Sequence, residues 1–335
     1  MTNTAGRPGH RSVRAEPPPF DAELARPLGR ILQKLPMPLT PGLIGDRRAR
    51  TAAGALSDED IQRAGAFTVE ERTVPGPSGA PSLTLLICRP TATAGPHPVI
   101  YHTHGGGMVA GSPRGTELVG ELNRAEELQL AVVAVEYRLA PEHPHPAPVE
   151  DCYAGLSWLA RNASELGVDP GRIVLSGNSA GGALAAALAL LSRDRGGPHV
   201  CGQLLQFPML DDRCDSFSAR QMKRVGLWDG LSNLAGWTAL LGDRRGTENV
   251  SRYAAPARAA ELSGLPPAFI EVGSVEALRD EGVAYASRIW QAGGQAELHV
   301  WEGAFHSFDE WVPDAVVSRA AHHARVAWLR RVLSR

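Results

Sequence analysis

Residues 172–182 read Arg172-Ile173-Val174-Leu175-Ser176-Gly177-Asn178-Ser179-Ala180-Gly181-Gly182 and run straight into an alanine- and leucine-rich stretch, 183–191. This is a short buried strand, a very tight turn and a helix of small residues. Few folds accommodate it. The G-x-S-x-G at its centre is the nucleophile-elbow pattern, which holds a serine on a strained turn above the strand ends of an α/β sheet. Gly177 and Gly181 stand two positions either side of Ser179, where a Cβ would collide with the neighbouring strand or helix. The N–H of Ala180 and the positive end of the helix dipole then lie beside the Ser179 hydroxyl. Because glycine-rich strand-to-helix turns also occur in other α/β proteins, the motif gains meaning only with partners elsewhere in the chain.

The rest of the chain suits such a sheet. Strand-like runs are expected at 67–74 and 82–88, an antiparallel pair around a Pro/Gly turn, then at 98–103, 130–137, 201–207, 268–273 and 296–301. Helices are expected at 149–166, 278–292 and 313–333, the last with a proline in its first turn. Strands alternating with helices from about residue 99 onward imply an α/β fold, a mostly parallel sheet covered on both faces. Ahead of it, residues 20–66 read as a helical arm, broken by a proline-rich stretch at 36–41, with Ser57 and Asp60 spaced close to a capping box. Residues 210–262 interrupt the alternation without a clear strand. The expected division is therefore a disordered leader at 1–19, a cap arm at 20–66, core at 67–209, a cap insertion at 210–262 and core again at 263–335.

Composition narrows the function. A net charge of −2 with no basic run argues against a nucleic-acid or membrane-surface partner, and 43% hydrophobic with 21% charged residues is the balance of a soluble globular protein. The start of the chain lacks the apolar core of a secretory signal. The four cysteines, Cys88, Cys152, Cys201 and Cys214, have no C-x-x-C spacing and read as buried free thiols, which suits a cytoplasmic location. No metal is expected: neither His143 with His145 nor His322 with His323 has i, i+4 ligand spacing with a third ligand.

Two further stretches complete a chemistry around Ser179. His104-Gly105-Gly106-Gly107-Met108 follows a strand, and its uncovered amides are candidate oxyanion donors: Gly105, Gly106 and Gly107, with Gly106 and Gly107 foremost, beside Ala180. His306, in the loop after the final strand, is the candidate general base. Glu276, Asp280 and Glu281 all compete to orient it. Glu276 is favoured because it sits in the loop past a strand end, whereas the other two fall in the first turns of a helix, where acids merely complement the dipole; Asp280 stands second. Met108, Asn178 and Met209 are candidate substrate-pocket residues. Trp228, Trp237, Met222 and Leu227 either join them or form the insertion's own small core.

With these residues in hand, the chain resembles the hormone-sensitive-lipase branch, bacterial family IV, of the α/β-hydrolases. The matching motifs run in family order from about residue 67: His104 to Gly107, Tyr137-Arg138-Leu139-Ala140-Pro141-Glu142-His143-Pro144, Gly177 to Gly182, Glu276 to Gly282, and His306-Ser307-Phe308. The resemblance implies a serine carboxylesterase without a cofactor, acting on a small-molecule ester, and a homodimer; the modest lid, and the lack of a large apolar helix suited to a lipid interface, point to short- to medium-chain acyl esters or acetylated small molecules. It departs from the family in Asn178 for an aspartate, Glu276 for an aspartate and Met108 for an aromatic residue. Arg138 and Glu142 are expected to pair beneath the site. An amidase or peptidase with the same triad, and a non-catalytic binder on the same scaffold, are the competing readings.

Overall fold

A computed structural model describes residues 16–35 and 37–335. Most of the expected leader, residues 1–15, lies outside the described residues. One sheet organises the chain. Its strands are β1 (Phe67–Val74), β2 (Leu83–Pro90), β3 (His97–Thr103), β4 (Ala131–Glu136), β5 (Val168–Asn178), β6 (Gly202–Gln206), β7 (Ala268–Gly273) and β8 (Ala296–Trp301). They lie in the order β1-β2-β4-β3-β5-β6-β7-β8. The pairs β1·β2 and β2·β4 are antiparallel and the rest parallel.

The helices in chain order are α1 (Ala22–Lys34), α2 (Ile44–Ala53), α3 (Asp58–Gln62), α4 (Leu118–Leu128), α5 (Ala147–Arg161) and α6 (Ala163–Leu166). They continue with α7 (Ala180–Arg195), α8 (Phe217–Gln221), α9 (Gly230–Leu241), α10 (Arg279–Gln291), α11 (Phe308–Trp311) and α12 (Val316–Leu333). Both faces of the sheet are buried, which is why its strands read as almost unbroken apolar runs. Ile100, Val132, Val174, Leu204 and Phe269 pack on one face against Leu118 and Leu122 of α4 and Leu329 of α12. Their successors Tyr101, Val133, Leu175, Leu205 and Ile270 pack on the other, against α5, α7 and α10. The first face changes character two residues further along all of these strands but β4, which has Ala134 there. His102, Ser176, Gln206 and Glu271, all buried, make its carboxyl end polar.

Four expectations need correction. Helix α4 was not anticipated, because its inner face carries Glu121 and Arg124, which pair at 3.0 Å in the interior and break the apolar stripe. The last helix begins at Val316 rather than 313. Ala315 is extended, and the amide of Val316 is capped by Glu23 Oε2 of the arm at 2.7 Å, so Pro313 lies outside the helix. Arg138 does not pair with Glu142. It grips Asp151 bidentately at 2.7 and 2.8 Å, while Glu142 bonds Arg48 of α2. The helix expected at 149–166 is split at Asn162 into α5 and α6. The Ser57–Asp60 capping box is present. The cysteines are free, Cys88 and Cys152 buried and Cys201 and Cys214 partly so.

Candidate active site

Ser179 follows β5 directly, at φ 60° and ψ −118°, a conformation L-residues rarely adopt and that surrounding bonds must enforce. Its N–H donates to Gln206 O at 2.8 Å, and its carbonyl accepts from Ala183 at 3.2 Å and Met209 at 3.0 Å. A Cβ on Gly181 would overlap the Thr103 carbonyl oxygen, so the helix can approach β3 this closely only with glycine there.

His306 and Glu276 come from neighbouring loops stitched to each other. Ser274 donates to Trp301 O at 2.8 Å and Val275 to Ala304 O at 3.0 Å, which lays the loop after β7 along the loop after β8. His306 Nε2 then stands 3.0 Å from Ser179 Oγ, and His306 Nδ1 2.8 Å from Glu276 Oε2. The other carboxylate oxygen of Glu276 accepts the Gly273 amide at 3.2 Å. All three side chains are buried. The competing acids are engaged elsewhere. Asp280 accepts from Ser218 N at 2.7 Å and pairs with Arg279, and Glu281 accepts from Leu210 N at 2.8 Å. Phe207, which drew no notice in the sequence, meets the His306 ring edge-on at 5.6 Å, and Trp228 lies tilted over it at 6.3 Å.

The candidate oxyanion donors gain their direction from the carbonyls at the other end of each peptide plane, since a planar peptide fixes N–H once C=O is held. The Gly105 carbonyl, whose plane carries the Gly106 N–H, accepts from His104 Nδ1 at 2.9 Å. Burial pulls the His104 pKa down to about 3, so its ring is neutral, and it stacks on Tyr137 with centroids 4.1 Å apart. The Gly106 carbonyl, whose plane carries the Gly107 N–H, accepts from Val109 and Ala110. The Ser179 carbonyl, held as above, aims the Ala180 N–H. No group among the described residues accepts from the N–H of Gly106, Gly107 or Ala180. Gly105 differs from the sequence-based expectation. Its N–H is donated to Glu117 Oε1 at 2.7 Å and is not free for a substrate oxygen.

The three candidate pocket residues are all buried but differ in what they touch. Asn178 turns to the His306 loop, where its Oδ1 accepts the Ser307 hydroxyl at 3.1 Å. Met108 holds Ala140 through its carbonyl at 2.9 Å. Met209 reaches toward Gly236 of α9, near the Trp228 ring. Trp228 is the larger presence, its indole rim against Gly107. Glu117 was missed altogether, since a lone glutamate thirteen residues after His104 follows no pattern.

An eight-stranded sheet with a serine on the turn after its fifth strand, hydrogen-bonded to a histidine that contacts a glutamate, defines an α/β-hydrolase. A family profile described as the alpha/beta hydrolase fold matches residues 100–310. Carboxylesterase NlhH of Mycobacterium tuberculosis is 36% identical over 269 residues, covering 79% of this chain and 83% of that protein. An acetyl-hydrolase of Streptomyces hygroscopicus is 32% identical over 233 residues, covering 69% and 75%. The solved structure of a bacterial heroin esterase matches with a TM-score of 0.84 at 37% identity, over 93% of this chain and 98% of that one. The chain belongs to the α/β-hydrolase family, in its hormone-sensitive-lipase-like branch of carboxylic ester hydrolases.

Proposed function

We propose that the protein is a serine carboxylesterase working through an acyl-enzyme. The observation that carries this reading is the continuous line from Ser179 Oγ through His306 to Glu276, at 3.0 and 2.8 Å. Ser179 Oγ attacks the ester carbonyl as His306 Nε2 takes its proton. Glu276 holds the ring with Nδ1–H toward it and stabilises the cation that forms. Charge developing on the carbonyl oxygen meets the N–H groups of Gly106, Gly107 and Ala180. The intermediate collapses, His306 returns the proton to the departing alcohol, and water repeats the sequence to release the acid.

Residues 20–66 and 210–262 act as the cap over this site. Several contacts support that. Leu39 N–H donates to Ser232 Oγ of α9 at 2.8 Å, Arg48 of α2 holds Val109 O and Ala140 O, and Trp228 overlies the oxyanion loop. Short acyl groups are the favoured substrates. Trp228 and Phe207 crowd the histidine, and the likeness to a heroin esterase and an acetyl-hydrolase points the same way. Among the described residues no helix is long and apolar enough to cross a membrane.

The test is covalent labelling with an organophosphate, read by peptide mass spectrometry, beside a p-nitrophenyl ester series of rising acyl length and an acetylated amide. A label on Ser179 is expected, with turnover greatest for the shortest esters. Labelling elsewhere or none, or faster turnover of the amide, overturns the reading. Ser179→Ala and His306→Ala should retain only the contribution of binding and the oxyanion donors, about 10³–10⁴ over water. Glu276→Ala should be more damaging than Asp280→Ala.

A further inference from the structure

Both peptide units flanking Gly105 are held by side chains. In the first, His104 O accepts the Tyr137 hydroxyl at 2.8 Å and Gly105 N–H donates to Glu117 Oε1 at 2.7 Å. In the second, Gly105 O accepts from His104 Nδ1, and the Gly106 N–H at the far end is an oxyanion donor. Glu117 therefore sets the entry to the oxyanion loop. It is also close to the nucleophile. A Cβ at Gly105 would stand 3.2 Å from Glu117 Oε2, 3.5 Å from Ser179 Cβ and 3.0 Å from Asn178 O, so the carboxyl group is wedged under the elbow.

A charge in that wedge would oppose catalysis. The tetrahedral intermediate places negative charge at the N–H groups of Gly106, Gly107 and Ala180, and like charges in a partly desolvated site repel strongly. Among the described residues no Arg, Lys or His forms an ion pair with Glu117. It lines a cavity of about 520 Å³ together with Glu310, the fourth residue after His306. Thr116 Oγ1, next to Glu117, donates to the Glu310 carboxylate, which brings the two acids together. The arginines around them are bound elsewhere. On α4, Arg124 pairs with Glu121, which also takes the Ser176 hydroxyl from β5. On α12, Arg325 pairs with Glu271 of β7 and Asp309 of α11, and Arg319 donates to the Asp314 carbonyl. His322, at the rim, faces Glu127, His323 beside it lines the cavity with its ring edge-on to His322 at 6.0 Å, and His102 of β3 faces Glu121. His306 itself is committed to Ser179 and Glu276.

We propose that Glu117, kept as a neutral carboxylic acid beside Glu310, is the positioning residue of the oxyanion loop, and that the enzyme needs the proton this pair holds. The inference rests on the serine-esterase reading above. Supporting it, burial and then the Glu310 carboxylate push the Glu117 pKa up to about 8, and burial and Asp309 push Glu310 upward as well. Two acids so placed titrate as a pair, not singly. As pH rises past about 8 the pair loses this proton, a second negative charge appears beneath the hole, and turnover falls while ground-state binding changes little.

The experiment compares wild type, Glu117→Gln, Glu117→Ala and Glu310→Gln by steady-state kinetics on one acetyl ester from pH 6 to about 10, the range that brackets the expected titration. Active sites are counted in every sample by organophosphate labelling of Ser179, and circular dichroism checks folding. Glutamine keeps the acceptor for Gly105 N–H without a charge. E117Q should therefore hold kcat at neutral pH within about threefold of wild type and lose the alkaline fall, whereas E117A should lower kcat about tenfold or more at every pH with KM little changed. E310Q removes the neighbouring negative charge, so the alkaline limb should move to lower pH. An infrared carbonyl band of a protonated carboxyl, present at neutral pH and lost in E117Q, reads the proton without activity. An alkaline limb unchanged in both E117Q and E310Q, or E117Q as damaged at neutral pH as E117A, overturns the proposal. Should E117Q fail to fold, the direction of the E310Q shift and the wild-type infrared band decide it. Wild type that binds no organophosphate at Ser179 would instead sink the esterase reading.

Discussion

The hydroxyl of Ser307 donates to Oδ1 of Asn178 at 3.1 Å, joining the residue after His306 to the residue before Ser179. Both side chains are buried, so the bond replaces water at each end and couples the two halves of the Ser179–His306 contact.

Breaking that bond should loosen the histidine loop. Ser307→Ala and Asn178→Ala each leave a buried polar partner unmatched and should destabilise the fold by about 1–3 kcal/mol, with a drop in kcat larger than any change in KM. Asn178→Asp keeps an acceptor for the Ser307 hydroxyl and should retain most of the activity. Urea unfolding beside steady-state kinetics tests this. N178A matching wild type in both measurements would show the bond to be idle.

The oxyanion loop has no room at Gly107. Its φ of +66° suits glycine, and a Cβ there would run into the Trp228 ring. Gly107→Ala should lower kcat by about 10²-fold, the scale of losing one oxyanion donor. Trimming the ring in a Gly107→Ala/Trp228→Leu double variant should recover only part of the loss, because the backbone strain remains. Full recovery would mean that steric overlap alone was responsible.

Arg48 ties the arm to the core. Its guanidinium donates to Val109 O at 2.7 Å and Ala140 O at 2.8 Å, and forks onto Glu142 at 2.9 and 2.7 Å. Arg48→Ala should expose the arm to limited proteolysis and weaken kcat/KM about tenfold, since two carbonyls beside the site lose a charged donor. Arg48→Lys, a point charge without the planar fork, should recover little. An arm as protease-resistant in R48A as in wild type would argue that α1 alone anchors it.

Acid should destabilise the protein through two histidines, His104, which is buried, and His145, which is partly so. With His104 pulled down to about 3 and His145 to about 4 by burial, the unfolded chain binds protons through the ordinary histidine range while the folded chain does not. Stability is therefore full above that range and falls as pH drops through it, by up to about 1.4 kcal/mol per pH unit for each such group. Glu117, with its raised pKa, acts in the opposite sense and withdraws stability as pH climbs from the usual carboxylate range to about 8. Chemical denaturation at stepped pH should show a shallower acid slope in His104→Gln. An identical slope would place the proton uptake elsewhere.

The linear order of residues determined the sheet and the elbow on its own, because these rest on local rules. Two-residue alternation was unreadable in strands buried on both faces, yet their unbroken apolar runs between turn signals marked them, and all eight strands lie near where the pattern put them. Ser179 and His306 were legible because chemistry confines them to a glycine turn and to the loop after a final strand. Folding decided what depended on partners distant in the chain. The loop position favoured Glu276 over Asp280 and Glu281, and the fold then gave each a different neighbour: His306 for one, Ser218 and Leu210 for the others. Helix α4 was hidden because Glu121 and Arg124 look like surface residues until they pair inside. Arg138 found Asp151 and left Glu142 to an arginine ninety-four residues away. Glu117 was invisible for the same reason. A carboxyl group becomes a neutral acid holding an oxyanion loop only where burial and a second carboxylate, nearly two hundred residues on, surround it.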